Sequence, residues 1–167
     1  MKNIVLIGMP ACGKSVTGVV LAKSLKMKFI DTDLLIQEHA GKSLQEIIDH
    51  DGMEEFNRTE QAVLNSIEVE NAVIATGGSA VYYDDAMKHL KENGTVIYIK
   101  AGLQDVKRRL RNIKTRGVAM GKGQSLAELY AERVPLYEKY ADITVASSRH
   151  SMEKTVEDMI NKVKAVL

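Results

Sequence analysis

Short apolar runs alternate along the chain with longer segments in which apolar residues recur at helical spacing. Continuous apolar runs rich in β-branched side chains are typical of strands buried on both faces. Periodic segments bounded by capping residues or glycine predict helices. The runs predict strands at residues 3–7, 28–30, 72–75, 95–99 and 142–145. The periodic segments predict helices at residues 16–25, 33–40, 43–51, 53–67, 84–93, 103–111, 125–140 and 151–167.

The order of these elements predicts the fold class. Strands separated by helices pair in parallel and build a three-layer α/β fold. We therefore expect one domain over residues 1–167, with a parallel sheet of about five strands flanked by helices. Residues 112–124 form a polar stretch containing Gly117, Gly121 and Gly123. Long segments of this kind in a compact domain are commonly functional, and we expect a mobile lid there.

The strongest motif is Gly8-Met-Pro-Ala-Cys-Gly13-Lys14-Ser15, which matches G-x-x-x-x-G-K-[ST]. It follows a predicted strand and precedes a predicted helix, as a phosphate-binding loop (P-loop) requires. Backbone N–H groups of such a loop surround phosphates, and the helix N-terminus adds a positive dipole. We expect Lys14 to reach the β- and γ-phosphates of ATP and the Ser15 hydroxyl to bind Mg²⁺.

Two aspartates, Asp31 and Asp33, follow the second predicted strand. Alternation along an extended segment places both on one side, at the edge where open α/β sheets bind ligands. One carboxylate is suited to hold Mg²⁺, and the other to orient or deprotonate an acceptor hydroxyl. The third strand, 72–75, ends without the aspartate that many P-loop ATPases carry there. This pattern favours a small-molecule kinase over a motor or switch ATPase.

Composition excludes several other classes. The chain has 23 Lys and Arg against 22 Asp and Glu, a net charge of +1, which argues against a nucleic-acid partner. Its single cysteine cannot form an internal disulfide, and no Cys/His cluster suggests zinc. No apolar run approaches the length of a membrane span. We expect a cytoplasmic enzyme, active as a monomer, that acts on a small molecule.

Five features follow one another in a specific order: the P-loop, Asp31-Thr-Asp33, Gly77-Gly78 after the third strand, a lid arginine, and Arg133-Val-Pro-Leu-Tyr137. With this series the chain resembles the shikimate kinase family over nearly its whole length. The resemblance implies a P-loop kinase fold. It also implies ATP- and Mg²⁺-dependent phosphorylation of a hydroxyl on a small metabolite, with shikimate as the first acceptor to consider.

The resemblance also implies residue roles, and the acceptor-binding region falls at about residues 33–62. The catalytic residues implied are Lys14, Asp33 and Arg116, and the metal ligands are Ser15 and Asp31. The nucleotide-binding positions are Gly8, Ala11, Cys12, Gly13, Lys14, Ser15, Val16, Arg109 and Arg116. The acceptor-binding positions are Asp33, Asn57, Arg58, Gly77, Gly78, Ser79 and Arg133.

The departures from the family pattern concentrate on the acceptor and lid side. Asn57 stands where the family has an arginine that binds the substrate carboxylate, and Ser79 stands where it has a third glycine. Arg58 is the next residue, about 100° around a helix, and faces another way. Losing one partner of a buried charge pair commonly costs about 2–5 kcal/mol. Carboxylate binding is therefore expected to weaken by tens-fold or more unless Arg58 turns inward.

Three alternatives stay open at this point. The first is a related kinase that phosphorylates a different hydroxylated acceptor. The second is a nucleoside monophosphate kinase, and the third is a non-catalytic regulator that binds a nucleotide. Asp31-Thr-Asp33 and Arg133-Val-Pro-Leu-Tyr137 argue against the second. Lys14 and Ser15, together with two aspartates and a lid arginine, argue against the third.

Overall fold

A parallel sheet forms the centre of the molecule in this computed structural model, which describes residues 2–111, 117–148 and 151–166. The strands of the described residues are β1 (Asn3–Ile7), β2 (Lys28–Asp31), β3 (Ala72–Ala75), β4 (Gly94–Lys100) and β5 (Ile143–Ala146). They pair in parallel in the order β2-β3-β1-β4-β5. The five-stranded parallel sheet predicted from the alternation of elements is therefore confirmed.

Helices connect the strands. They are α1 (Lys14–Leu25), α2 (Thr32–Ala40), α3 (Leu44–Glu46), α4 (Met53–Asn65), α5 (Asp84–Glu92), α6 (Leu103–Arg111), α7 (Leu126–Tyr140) and α8 (Met152–Val166). A π-helical turn, Ile47–Asp51, continues α3, and a 3-10 turn, Ala80–Tyr82, follows β3. A capping box begins α3: Ser43 Oγ accepts from Glu46 N at 3.2 Å, and the Glu46 carboxylate accepts from Ser43 N at 2.8 Å.

The core lies on both faces of the central strands. β1 and β3 are buried along their whole length, which explains why they are continuous apolar runs rather than alternating ones. The connection from β1 to β2 runs in the opposite direction to those from β2 to β3 and from β3 to β4. Right-handed crossovers therefore place α1 on one face and α4 and α5 on the other. Helix α8 packs against α1 and completes its layer.

The strand order places a ligand-binding crevice beside β1. The chain leaves β1 toward β2 on one side, whereas β4 and β5 lie on the other. Ligands of open α/β sheets bind at such a reversal, outside the carboxyl ends of the strands. The segments that emerge there are the P-loop after β1, Asp31 at the end of β2 and Thr76-Gly77-Gly78 after β3.

Some predicted boundaries are wrong for identifiable reasons. Gly94 was expected to end the helix at 84–93, but it is the first residue of β4 and pairs with Asn3. Helix α2 begins at Thr32 rather than Asp33, because Asp31 is its N-cap. The segment 47–51 is a π-helical turn that ends at Gly52, where φ is 86°. The predicted helix at 53–67 ends at Asn65.

Within the ranges that the structure describes, no helix combines the length and apolar character needed to cross a lipid bilayer.

Candidate active site

The turn between β1 and α1 surrounds the amine of Lys14. Lys14 Nζ donates to the carbonyl oxygens of Gly8 at 2.7 Å and Met9 at 2.8 Å, and the residue is only 7% exposed. Gly8 is required by a close approach, because a Cβ there would lie 2.7 Å from the carbonyl oxygen of Ile99. The loop runs directly into the N-terminus of α1, where backbone N–H groups and the helix dipole favour an anion. This arrangement is suited to hold phosphate groups.

Arg109 supports this loop from α6. Its Nη1 donates to Ala11 O at 3.0 Å, and both terminal nitrogens lie 3.4 Å from Ser147 Oγ. Ser147 Oγ donates in turn to Cys12 O at 3.3 Å. Ala11 has a φ of 63°, a region that is strained for a residue with a side chain. Arg109, expected to contact the nucleotide, thus contacts the loop backbone in this structure, and Ser147 is a support that the sequence reasoning missed.

The other nucleotide-side positions differ in exposure. Gly13 adopts a φ of 97° immediately before α1. Cys12 is buried, with its Sγ 3.7 Å from Lys14 Nζ. Val16 is 59% exposed in the first turn of α1. Arg116, the predicted lid arginine, lies outside the described residues.

Ser15 and Asp31 meet beside the loop. Ser15 Oγ donates to Asp31 Oδ2 at 2.8 Å, and Asp31 Oδ1 accepts from Asp33 N at 3.0 Å. A hydroxyl next to a carboxylate fits Mg²⁺, which prefers oxygen ligands and keeps several waters or phosphate oxygens in its shell. No group of three or more His, Cys, Asp or Glu side chains gathers around a metal position among the described residues. The donor set therefore fits an ion shared with a nucleotide rather than one held by protein alone.

The extended alternation predicted for residues 31–33 is wrong, because Thr32 already begins α2. The helical turn still directs the Asp33 carboxylate into the crevice: its Oδ1 lies 2.8 Å from the position that a Cβ on Gly77 would take. A single cleft holds this carboxylate together with much of the predicted site. The predicted residues that line it are Ala11, Gly13, Lys14, Ser15, Asp33, Gly77, Gly78, Ser79 and Arg133.

Arg133, from α7, is the buried cation on the acceptor side of the cleft. The residue is 1% exposed. Its Nη2 donates to Ala119 O at 2.5 Å, and its Nε donates to Tyr82 OH at 3.3 Å. Its Nη1 lies 2.8 Å from the position of a Cβ on Gly78, so a side chain at that position would collide with it. The guanidinium thus faces the glycine turn after β3, where it is suited to bind an acceptor carboxylate.

Asn57 and Arg58 lie apart from this cleft. Asn57 Oδ1 accepts from Tyr83 OH at 3.1 Å, and the residue lines a neighbouring cavity of about 670 Å³ that shares Ser79 and Ala119 with the cleft. Arg58 pairs with Glu55 at 3.0 Å, and its side chain is 73% exposed. The structure therefore does not bring Arg58 into the position left by the missing arginine.

Glu60 is a cleft residue that the sequence reasoning missed. It is 1% exposed, its Oε1 accepts from Ser79 Oγ at 2.5 Å, and its Oε2 lies 3.0 Å from the position of a Cβ on Gly77. Burial raises its pKa to about 7; the charge of Asp33 adds to this effect, and hydrogen bonds from Ser79 and Tyr83 and the charge of Arg133 reduce it. Glu60 shares the apolar face of α4 with Phe56 and Leu64. A carboxylate at core spacing was the available signal.

The raised pKa of Glu60 predicts a pH-dependent stability. The carboxyl has an ordinary pKa of 4.5 in the unfolded chain and about 7 in the fold, so the folded state holds an extra proton between these values. The free energy of unfolding should therefore fall by about 3 kcal/mol from this group as the pH rises from 4.5 to 7. Urea unfolding of the natural protein and Glu60→Gln across this range measures the difference. Parallel curves for the two proteins would contradict the burial effect.

Gly77 lies between the carboxylates of Asp33 and Glu60. A methyl group added at this position is therefore expected to displace them. In Gly77→Ala the new Cβ would lie 2.8 Å from Asp33 Oδ1 and 3.0 Å from Glu60 Oε2. Displacement of these groups should lower kcat/KM for the acceptor by about a hundredfold, with nucleotide affinity unchanged. Gly102→Ala is the control, since its Cβ meets only Asp105 Oδ2 at 3.8 Å. Equal acceptor kinetics for the two variants would show that the cleft tolerates the methyl group.

The described part of the predicted lid, residues 117–124, lies over the acceptor side. Gly117, Val118 and Ala119 line the cleft. Gly117 packs against α3 so closely that a Cβ would lie 2.5 Å from Leu44 Cβ. The rest of the predicted lid, residues 112–116, lies outside the described residues.

Comparison of the chain with known proteins shows which family it belongs to. A shikimate kinase family model matches residues 10–164. The shikimate kinase of Francisella tularensis subsp. holarctica is 36% identical over 170 residues, covering 99% of this chain and 94% of the relative. The structure of shikimate kinase from Acinetobacter baumannii in complex with shikimate is similar, with a TM-score of 0.91, 27% identity and coverage of 99% and 94%. That from Aquifex aeolicus gives a TM-score of 0.83 at 31% identity, covering 97% and 96%. The chain belongs to the shikimate kinase family.

Proposed function

We propose that the protein transfers the γ-phosphoryl group of ATP to a hydroxyl of shikimate, giving shikimate 3-phosphate. The observation that carries this proposal is one cleft lined by Lys14, Asp33 and Arg133. These supply a phosphate-binding amine, a carboxylate for an acceptor hydroxyl and a guanidinium for an acceptor carboxylate. The name of the Francisella relative and the bound shikimate of the Acinetobacter structure support the choice of acceptor.

The reaction follows from positioning and charge. The acceptor hydroxyl oxygen attacks the γ-phosphorus, the bond to the bridging β–γ oxygen breaks, and ADP leaves. Asp33 orients the hydroxyl and receives its proton. Lys14 stabilises negative charge on the transferring phosphoryl oxygens. Arg133 holds the acceptor through its carboxylate, and Arg116, outside the described residues, is proposed to add a second cation above the phosphates.

Ser15 and Asp31 are the residues proposed to hold Mg²⁺. Their adjacent oxygens, 2.8 Å apart, offer the hydroxyl and carboxylate ligands that this ion takes together with nucleotide phosphates. When bound, the ion would neutralise charge on the β- and γ-phosphates. The P-loop backbone, supported by Arg109 and Ser147, keeps the phosphates in register with this pair.

We further propose one kinase domain over residues 1–167, with an acceptor-binding region at about 33–62 and a lid at 112–124. Closure of the lid would exclude water and limit hydrolysis of ATP. The proposal also takes the active form to be a monomer. A cytoplasmic location fits the use of ATP as donor.

A panel assay tests the proposal. The protein is incubated with MgATP and either shikimate or other hydroxylated metabolites, and both ADP and the phosphorylated product are followed. ADP release that depends on shikimate, with equimolar phosphorylated product, is expected. If another acceptor is phosphorylated and shikimate is not, the proposed acceptor is wrong and the proposed kinase activity stands. Asn57, which replaces the family's carboxylate-binding arginine, is the reason to test this outcome. The relatives named above do not favour that alternative.

A further inference from the structure

Two carboxylates face each other across the glycine turn of the acceptor cleft. Asp33 Oδ1 and Glu60 Oε2 lie 2.8 Å and 3.0 Å from the same point, the position of a Cβ on Gly77. Glu60 Oε2 is buried and has no hydrogen-bond partner of good geometry in the described part of the chain, although the nearby Tyr83 hydroxyl lowers the pKa of the carboxyl. A buried carboxylate oxygen without a donor is costly when ionised. Glu60 is therefore poised either to carry a proton or to receive one from a ligand.

Charged and polar groups approach Glu60 from several elements of the fold. Asp33 approaches from α2, Tyr83 from the segment before α5, and Arg133 from α7. On its own helix Asn57 is neutral. Arg58 does not supply a positive charge next to Glu60, because it pairs with Glu55 at the surface. Among the described groups that face Glu60, Arg133 is a cation and Asp33 is a second carboxylate. An ionised Glu60 therefore adds negative charge beside Asp33, and an acceptor carboxylate would add more.

Ser79 holds the Glu60 carboxyl in this arrangement. Its hydroxyl donates to Glu60 Oε1 at 2.5 Å, and the other carboxyl oxygen, Oε2, lies beside Gly77 at the edge of the cleft. A cation at position 57 would lie one helical turn from Glu60, within reach of an i, i+3 pair. The chain instead has asparagine there, bonded to Tyr83. The donor to Glu60 is thus the neutral Ser79 hydroxyl, and position 57 supplies no charge.

We propose that Glu60 is a specificity-determining residue that admits an anionic acceptor in its protonated form, so that acceptor binding takes up one proton from solvent. The proton resides on the Glu60 carboxyl, where it removes one negative charge from the surroundings of the acceptor. Nothing is oxidised or reduced, and the proton returns to solvent when the acceptor or its product leaves. The inference rests on the proposed function, because it takes a carboxylate-bearing acceptor such as shikimate.

The pKa of Glu60 sets the pH range in which acceptor binding is coupled to proton uptake. Burial raises its pKa to about 7, so both forms are populated near neutral pH. The affinity of a ligand that selects one form falls in proportion to the fraction of that form. The dissociation constant for shikimate should therefore be about tenfold higher at pH 8 than at pH 6.

Calorimetric titration with shikimate tests this without needing turnover. The natural protein is titrated at pH 6 and pH 8, and at pH 8 in two buffers of different ionisation enthalpy. We expect about tenfold weaker binding at pH 8 and a buffer-dependent heat equal to uptake of about one proton. Shikimate methyl ester, which lacks the negative charge, should bind with little dependence on pH.

Three variants assign the effect. Glu60→Gln keeps the shape and cannot titrate, so its shikimate affinity should be independent of pH. Ser79→Ala removes the donor that lowers the Glu60 pKa, so the pH at which affinity falls should rise. Asn57→Arg supplies a cation one turn away, which should abolish proton uptake and strengthen binding at pH 8.

The outcomes separate this inference from the proposed function. A dissociation constant unchanged between pH 6 and pH 8, in a protein that phosphorylates shikimate, overturns the role of Glu60 alone. The same pH dependence in Glu60→Gln as in the natural protein also overturns it and points to Asp33. Absence of shikimate binding at both pH values overturns the proposed function and the inference together.

Discussion

A Lys14→Met protein is expected to transfer phosphate about 10²- to 10³-fold more slowly than the natural protein. Methionine has a similar length but no charge, so the change removes the amine that is buried within the P-loop. That amine is held by the carbonyl oxygens of Gly8 and Met9 and faces the cleft that contains Asp33. The loss should fall mainly on kcat, because charge on the phosphoryl oxygens is stabilised during transfer.

The measurement is kcat at saturating MgATP and shikimate, with thermal unfolding of each protein to establish that the fold survives. Lys28→Met is the matched control, since Lys28 is exposed at the start of β2 and lies outside the cleft. It should retain the natural rate. A Lys14→Met protein that is folded and turns over at the natural rate would exclude this lysine from phosphoryl transfer.

An Asp33→Asn protein is expected to lose about 10²- to 10⁴-fold in kcat. The amide keeps the size of the carboxylate but cannot take the proton of the acceptor hydroxyl. Asp33 lines the same cleft as Lys14 and faces Gly77. Nucleotide affinity should change little, because the phosphate-binding loop is on another element.

Rapid-quench measurement of a single turnover separates the chemical step from product release in this variant. Asp49→Asn is the control, since Asp49 accepts from Gln45 Nε2 at an exposed site on the π-helical turn. A full rate for Asp33→Asn would remove the proposed base while leaving the roles of Lys14 and Arg133 intact.

The fold was largely predictable because its signals are local and repeated. The buried strands are continuous apolar runs, and the order of elements alone requires parallel pairing. What failed were element ends decided by tertiary contacts. Gly94 looks like a helix terminator, yet a Cβ there would lie 2.7 Å from Leu90 O, and the residue pairs with Asn3 in the sheet. The π-helical turn at Ile47–Asp51 has no comparable pattern in the sequence.

The candidate site was predictable where a motif carries its own geometry. The P-loop defines Lys14 and Ser15 by spacing, and both line the cleft. Contacts between distant elements were not readable in this way. Arg109 contacts Ala11, which lies 98 residues earlier in the chain. Ser79, in the turn after β3, donates to Glu60 on α4. The role of Glu60 depends on contacts with Ser79 and Asp33, which no local pattern encodes, although its spacing from Phe56 and Leu64 predicts a position on the apolar face of α4.

The central claim is that one cleft holds both the P-loop lysine, Lys14, and the carboxylate that acts on the acceptor hydroxyl, Asp33. Transfer of label from [γ-³²P]ATP tests this claim most directly. The protein is incubated with labelled ATP, Mg²⁺ and shikimate, and the label in shikimate phosphate and in inorganic phosphate is separated and counted. Label is expected almost entirely on shikimate, and its appearance there should be lost in Lys14→Met and Asp33→Asn. Label that appears only as inorganic phosphate, or that reaches shikimate equally in all three proteins, would contradict the proposed cleft.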